Sequence, residues 1–188
     1  SSSKSYYDDP ISFGIKSIIN KSNTNNNQIE SITIGTTDSK NAILERTGEK
    51  TLLIVSKGFK DSQLVGYQNR ENIFDLNICK TQPLYSDVIE IDERISPNGT
   101  DLIKPDWQSI EKKLKEITHK KFSSICVSLI HSWKYPKHEL EIGKMLFKLG
   151  YKNITLGHEI TQTIKYIRRT NSSIINAYVD PIIRKDID

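Results

Sequence analysis

Two nearly unbroken apolar runs, Leu52-Leu53-Ile54-Val55 and Ile125-Cys126-Val127-Ser128-Leu129-Ile130, restrict the folds open to this chain more than any other feature. A strand with one face in water alternates apolar and polar residues, whereas a continuous run needs cover on both faces, as inside a parallel sheet. The cover is written around them. Trp107, Ile110, Leu114 and Ile117 repeat at helical spacing after Asp106, a suitable cap, and predict a helix to about Lys120. Leu140, Met145, Leu146 and Leu149 predict another, opened by Pro136 and stopped at Gly150.

The remaining segments fit the same alternation. Pro10 to Asn20 carries apolar residues at helical spacing, followed by a polar low-complexity loop from Lys21 to Asn27. Ile32 and Ile34, the turn Gly35-Thr36-Thr37 and the apolar group Ala42-Ile43-Leu44 lead into the first run, so residues 31–55 read as a β-α-β unit. A short helix is expected from Lys60 to Gly66, then irregular chain to Gln82, a strand over Val88 to Ile91 and a turn at Pro97-Asn98-Gly99. Asn153 to Leu156 gives one more strand, and Ser172 to Ile187 a mixed apolar pattern interrupted by Pro181. The predicted class is α/β, with a largely parallel sheet and flanking helices.

Composition narrows the function classes. With 36% hydrophobic and 27% charged residues among 188, the chain has enough apolar side chains for one substantial core, and disorder throughout is not expected. No run approaches the roughly 18 apolar residues that cross a bilayer, and no apolar amino-terminal stretch suits secretion, so a cytoplasmic location is the expectation. The net charge of +4 is spread along the chain; Lys112, Lys113, Lys115, Lys120 and Lys121 decorate a predicted helix, and no groove-reading motif points to nucleic acid. Cys79 and Cys126 sit far apart in sequence, and their spacing suggests neither a metal site nor a disulfide framework.

Ligands of open α/β sheets bind beyond the carboxyl ends of the strands, where three polar turns are expected: Gly35-Thr36-Thr37, Ser56-Lys57-Gly58 and His131-Ser132. The first offers amides and hydroxyls at a helix start, suited to a phosphate or carboxylate, or equally to a plain threonine cap. Lys57 could neutralise a phosphate or lie solvated. His131 could donate to a carbonyl or shuttle a proton, or simply end a strand. In Gly66-Tyr67-Gln68-Asn69-Arg70 the arginine's planar fork suits a substrate carboxylate. His119, His138 and His158 lack metal-ligand spacing, and the pair Asp92-Glu93 reads as solvated strand-edge charge. No Gly-x-x-x-x-Gly-Lys loop, zinc motif or serine elbow occurs.

The run Ile34-Gly35-Thr36-Thr37, Asn41-Ala42 and Leu44-Glu45-Arg46-Thr47-Gly48 resembles a signature of the hydantoinase and 5-oxoprolinase family. In order and spacing, so do Lys57-Gly58-Phe59-Lys60-Asp61, Gly66-Tyr67-Gln68-Asn69-Arg70, Glu90-Ile91-Asp92-Glu93-Arg94, Leu129-Ile130-His131-Ser132-Trp133 with His138-Glu139, and Asn176-Ala177-Tyr178-Val179-Asp180-Pro181. The resemblance implies an actin-like, ribonuclease H-type ATPase domain over residues 1–180, with a following domain beginning at 181–188. It further implies ATP-driven opening of the lactam of 5-oxo-L-proline to L-glutamate, with Mg2+ and K+ assisting, in a homodimeric protein whose other domains complete the site.

Carried over by position, Gly35, Thr36, Thr37 and Lys57 would face nucleotide, Arg70 and Gln68 the substrate, and His131 the reacting carbonyl; no residue is assigned to metal. Asp38-Ser39-Lys40 departs from the small apolar and threonine residues usual after Gly-Thr-Thr and puts a carboxylate beside that turn. The family's first strand and Asp-x-Gly-Gly-Thr phosphate loop are expected ahead of residue 1, so the piece is not expected to turn over alone. Sister activities implied by the same scaffold are ATP-dependent hydantoin-ring opening and acetone-type carboxylation; a non-catalytic domain is the third.

Overall fold

The computed structural model describes residues 10–22, 31, 37–68, 74 and 80–187. They fall into two units, residues 1–36 and 37–188. In the first, helix α1 (Pro10–Ser22) occupies the predicted amphipathic stretch. The strand expected at 32–34 lies outside the described residues.

The second unit is built on four parallel strands, β1 (Thr51–Ser56), β2 (Asp87–Ile91), β5 (Ser124–Ser128) and β6 (Ile154–Leu156), in the order β2-β1-β5-β6. The register pairs Leu53 with Val88 on one side of β1 and with Cys126 on the other. Every residue of β1 and β5 is buried, the state their apolar runs require.

The two faces are covered by different helices. On one, Leu52 and Ile54 of β1 and Ile125 and Val127 of β5 meet Ile110, Leu114 and Ile117 of α4 (Trp107–Ile117) and Ile142 and Leu146 of α5 (Lys137–Lys148). On the other, Leu53, Val55 and Cys126 meet Ile174 and Ala177 of α7 (Tyr166–Ile187). The period-two alternation of the strands thus sends neighbouring residues into two separate cores. Desolvation in that second core pushes the Cys126 thiol well above its ordinary range and leaves it an inert packing group.

Local signals act as expected at several ends. Asp106 Oδ1 accepts the amides of Gln108 and Ser109 at 3.1 and 3.3 Å, capping α4, whose last turn tightens into a 3-10 turn at Thr118–Lys120. Gly48 lies so close to the Tyr178 ring that a Cβ there would come within 2.0 Å of it, tying the loop before β1 to α7.

Three features go beyond the sequence expectations. A hairpin of β3 (Arg94–Ile95) and β4 (Asp101–Ile103) turns at the predicted Pro97-Asn98-Gly99, its strands too short to show a pattern. A single turn, α6 (Gly157–Ile160), follows β6 at once. Helix α7 runs through Pro181 unbroken, because Ala177, Tyr178 and Val179 are buried and their packing outweighs the missing amide hydrogen bond. Before β1 and after it lie the short helices α2 (Asp38–Leu44) and α3 (Ser62–Val65).

Candidate active site at the carboxyl ends of β1 and β5

The chain leaves β1 for β2 on one side and then crosses back to β5 on the other, so the order of strands reverses between β1 and β5. Such a switch point opens a crevice at the carboxyl ends of the two strands, the usual ligand position in open α/β sheets. Here that edge is formed by Ser56-Lys57-Gly58, Asp92-Glu93-Arg94 and Leu129-Ile130-His131-Ser132.

Several side chains at this edge are buried and hydrogen-bonded. Ser56 Oγ donates to Glu93 Oε1 and accepts the Ile130 amide at 3.0 Å, bridging β1 to the chain beyond β5. The other Glu93 oxygen meets His138 Nδ1 at 2.7 Å, and His138 Nε2 lies 3.4 Å from Asp101 on β4. Glu139 Oε1 accepts the Leu129 amide at 2.8 Å, while its Oε2 meets the His158 amide at 3.1 Å and the ring Nδ1 at 2.6 Å. Arg169 Nη2 donates to the Leu129 carbonyl and Nη1 to the Thr163 carbonyl, both at 2.8 Å. Glu93, Glu139 and Arg169 are all fully buried.

His131 follows this frame in a left-handed conformation, φ 61°. Its carbonyl accepts the amides of Lys134 and Tyr135. Burial, then the guanidinium groups of Arg169 and Arg94, hold its imidazole below the ordinary range despite the opposing Glu93, which favours the neutral ring. A neutral ring has one nitrogen free to accept a proton and one to donate a hydrogen bond.

The other expected residues are placed as follows. Lys57 lies on the same edge, exposed, with its ammonium 2.6 Å from Asp92 Oδ2, which holds it above its ordinary range. Arg94 reaches the Lys57 carbonyl at 2.7 Å and stacks over Phe59 at 5.0 Å. Thr37 is exposed at the start of α2, and its hydroxyl makes no capping bond. Gln68 is exposed in a left-handed turn, φ 57°. Gly35, Thr36 and Arg70 lie outside the described residues.

Beside this edge a cavity of about 440 Å³ is lined by Phe59, Lys60, Asp61, Val65, Glu90 and Ile167 among others. Glu90 Oε1 accepts the amides of Gly58 and Lys60 there, at 2.7 and 3.2 Å, and fixes the loop after β1. Lys57, Gln68 and His131 are not among the lining residues.

One expectation is overturned. Of the pair Asp92-Glu93, only Asp92 is a solvated charge; Glu93 is fully buried because the chain turns inward directly after β2, toward Ser56 and His138. Sequence reasoning also misses Glu139 and Arg169. A signal exists for both: Glu139 shares the buried stripe of Ile142 and Leu146, and Arg169 that of Ser173 and Ala177.

Among the described residues no cluster of three or more His, Cys, Asp and Glu could hold a metal ion. The phosphate-binding groups offered by Thr37 and Lys57 are a hydroxyl without a capping bond and an ion-paired ammonium. These two groups by themselves therefore do not make a complete nucleotide site. No described helix is long and apolar enough to cross a membrane.

Known proteins match nearly all of this chain. The family described as the hydantoinase/oxoprolinase N-terminal region matches residues 2–150. The 5-oxoprolinase of Saccharomyces cerevisiae is 36% identical over 184 residues, covering 84% of this chain and 14% of that protein. The 5-oxoprolinase of Dictyostelium discoideum is 38% identical over 190 residues, covering 88% and 15%. The chain thus spans about a seventh of these curated relatives. In fold it is similar to the ATP-dependent caprolactamase of Pseudomonas jessenii, with a TM-score of 0.76 at 24% identity over 94% of this chain and 27% of that one.

Proposed function

The chain belongs to the hydantoinase/oxoprolinase N-terminal family, and on that premise we propose that it forms part of an ATP-dependent 5-oxoprolinase, contributing His131 to a site completed by the rest of a longer protein. The observation that carries the proposal is the pairing of two facts. Relatives named 5-oxoprolinase match most of the chain at 36 and 38% identity. At the switch point, His131 follows a peptide whose Leu129 and Ile130 amides are both hydrogen-bonded, and burial lowers the pKa of its imidazole.

The reaction needs such a group. A lactam amide is a poor electrophile and its nitrogen a poor leaving group. In the proposed sequence, the ring carbonyl oxygen attacks the γ-phosphorus of the co-substrate ATP and ADP departs, leaving the ring carbon activated as a phosphorylated imidate. Water adds to that carbon, the C–N bond breaks and the nitrogen leaves as an amine, giving γ-glutamyl phosphate. A second water attacks the acyl carbon, and phosphate leaves with the original ring oxygen. Neutral His131 would take the proton from the first water and return it to the departing nitrogen, a general base that becomes the general acid.

The longer protein is expected to release glutamate from 5-oxo-L-proline only when ATP and magnesium are both supplied, followed by coupled glutamate detection. Folded protein that releases none under those conditions would overturn the substrate assignment.

A further inference from the structure

Two buried carboxylates lie at the end of β5, and each is tied to the peptide leading into His131, Glu139 directly and Glu93 through Ser56. Glu139, from the first turn of α5, takes the Leu129 amide directly at 2.8 Å. Glu93, beyond β2, takes the Ser56 hydroxyl, whose oxygen accepts the Ile130 amide at 3.0 Å. The Leu129 carbonyl is held as well, by Arg169 Nη2 and by Ser132 Oγ, each at 2.8 Å. Neither carboxylate is free to rotate, since the second oxygen of Glu93 is bound to His138 and that of Glu139 to His158.

We propose that Glu139, acting directly, and Glu93, acting through Ser56, are positioning residues that set the backbone geometry from which His131 works. The proposal rests on the assignment of His131 to the reacting carbonyl. Its physical content is over-determination. A left-handed backbone is unfavourable for a residue that carries a Cβ and persists where surrounding bonds fix it. Here Leu129 N, Leu129 O, Ile130 N and His131 O each have a fixed partner. The carboxylate-histidine pairs explain why acids rather than amides occupy these positions. Glu139 accepts with both oxygens, from Leu129 on one side and from His158 on the other, and a glutamine has only one acceptor oxygen. Likewise the serine at 56 is needed as a relay that accepts from Ile130 while donating to Glu93.

Glu139→Gln and Ser56→Ala change few atoms and are tested in the longer protein by two readouts. In hydrogen exchange followed by mass spectrometry, both variants are expected to speed exchange of the peptide around 129–131 by about tenfold while the β1 peptide keeps its protection. In steady-state kinetics, kcat for 5-oxo-L-proline is expected to fall by about 10²-fold with KM within about twofold, the signature of misplacement rather than lost binding. Unchanged exchange at 129–131 would overturn the proposal, and so would faster exchange with unchanged kcat. If wild-type protein releases no glutamate, the functional assignment fails on its own, and the exchange arm still decides whether these residues hold the peptide.

Discussion

Replacing His131 with alanine is expected to lower the turnover of 5-oxo-L-proline by the longer protein by about 10²–10⁴-fold, the range for losing a positioned proton-transfer group. The expectation follows from three features of the residue. It stands at the switch point between β1 and β5, where ligands of open sheets bind. It is partly accessible, so a reacting atom can reach its ring. Its imidazole is held below the ordinary range by burial and by Arg169 and Arg94, which favours the proton-accepting form. The sign of the pH dependence is fixed by that shift. A base works deprotonated, so kcat falls as pH drops through its pKa, and the acid limb of the wild-type profile should lie below the usual imidazole range. Steady-state kinetics across pH checks both points; an alanine variant with wild-type kcat would remove His131 from the chemistry.

Arg169→Ala is expected to lower stability by about 2–4 kcal/mol, read as a shift of the urea midpoint at unchanged slope. The guanidinium is fully buried, which is rare for a charged side chain, and desolvation pulls its pKa down against the opposing pull of Glu139. Without it the Thr163 carbonyl loses its 2.8 Å donor, and the Leu129 carbonyl keeps only Ser132. The volume of a long, fully buried side chain is emptied as well. Lysine at this position should recover little, because a single ammonium cannot span two carbonyls held by separate arms of a planar fork. A midpoint within experimental error of wild type would show that the buried guanidinium contributes nothing net.

Much of the fold could be read from particular residues. The runs at 52–55 and 125–130 need cover on both faces, and they sit at the centre of the sheet between α4 and α5 on one side and α7 on the other. Asp106 and Pro136 mark helix starts by their own chemistry and are found there, Asp106 as a side-chain cap and Pro136 at the residue before α5. What could not be read depends on long-range packing. Glu93 follows an exposed aspartate in a charged strand end, and nothing local reveals that Ser56 and His138, 37 and 45 residues away, draw it inside. Pro181 reads as a stop until the buried side chains before it are seen to hold α7 together. His131 is legible as a candidate from its place after a buried strand, whereas the frame that fixes it is not. That frame comes from four separate elements, and only the stripes carrying Glu139 and Arg169 leave a trace in the sequence.

The central claim, that the longer protein opens its lactam by phosphorylating the ring carbonyl oxygen, is tested most directly with 5-oxo-L-proline labelled with ¹⁸O at that carbonyl. Mass spectrometry of the inorganic phosphate and glutamate formed in ATP would follow the label. The account predicts ¹⁸O in the phosphate, because that oxygen leaves bonded to phosphorus when the acyl phosphate is hydrolysed at carbon. Label retained wholly in the γ-carboxylate of glutamate, with unlabelled phosphate, would contradict it.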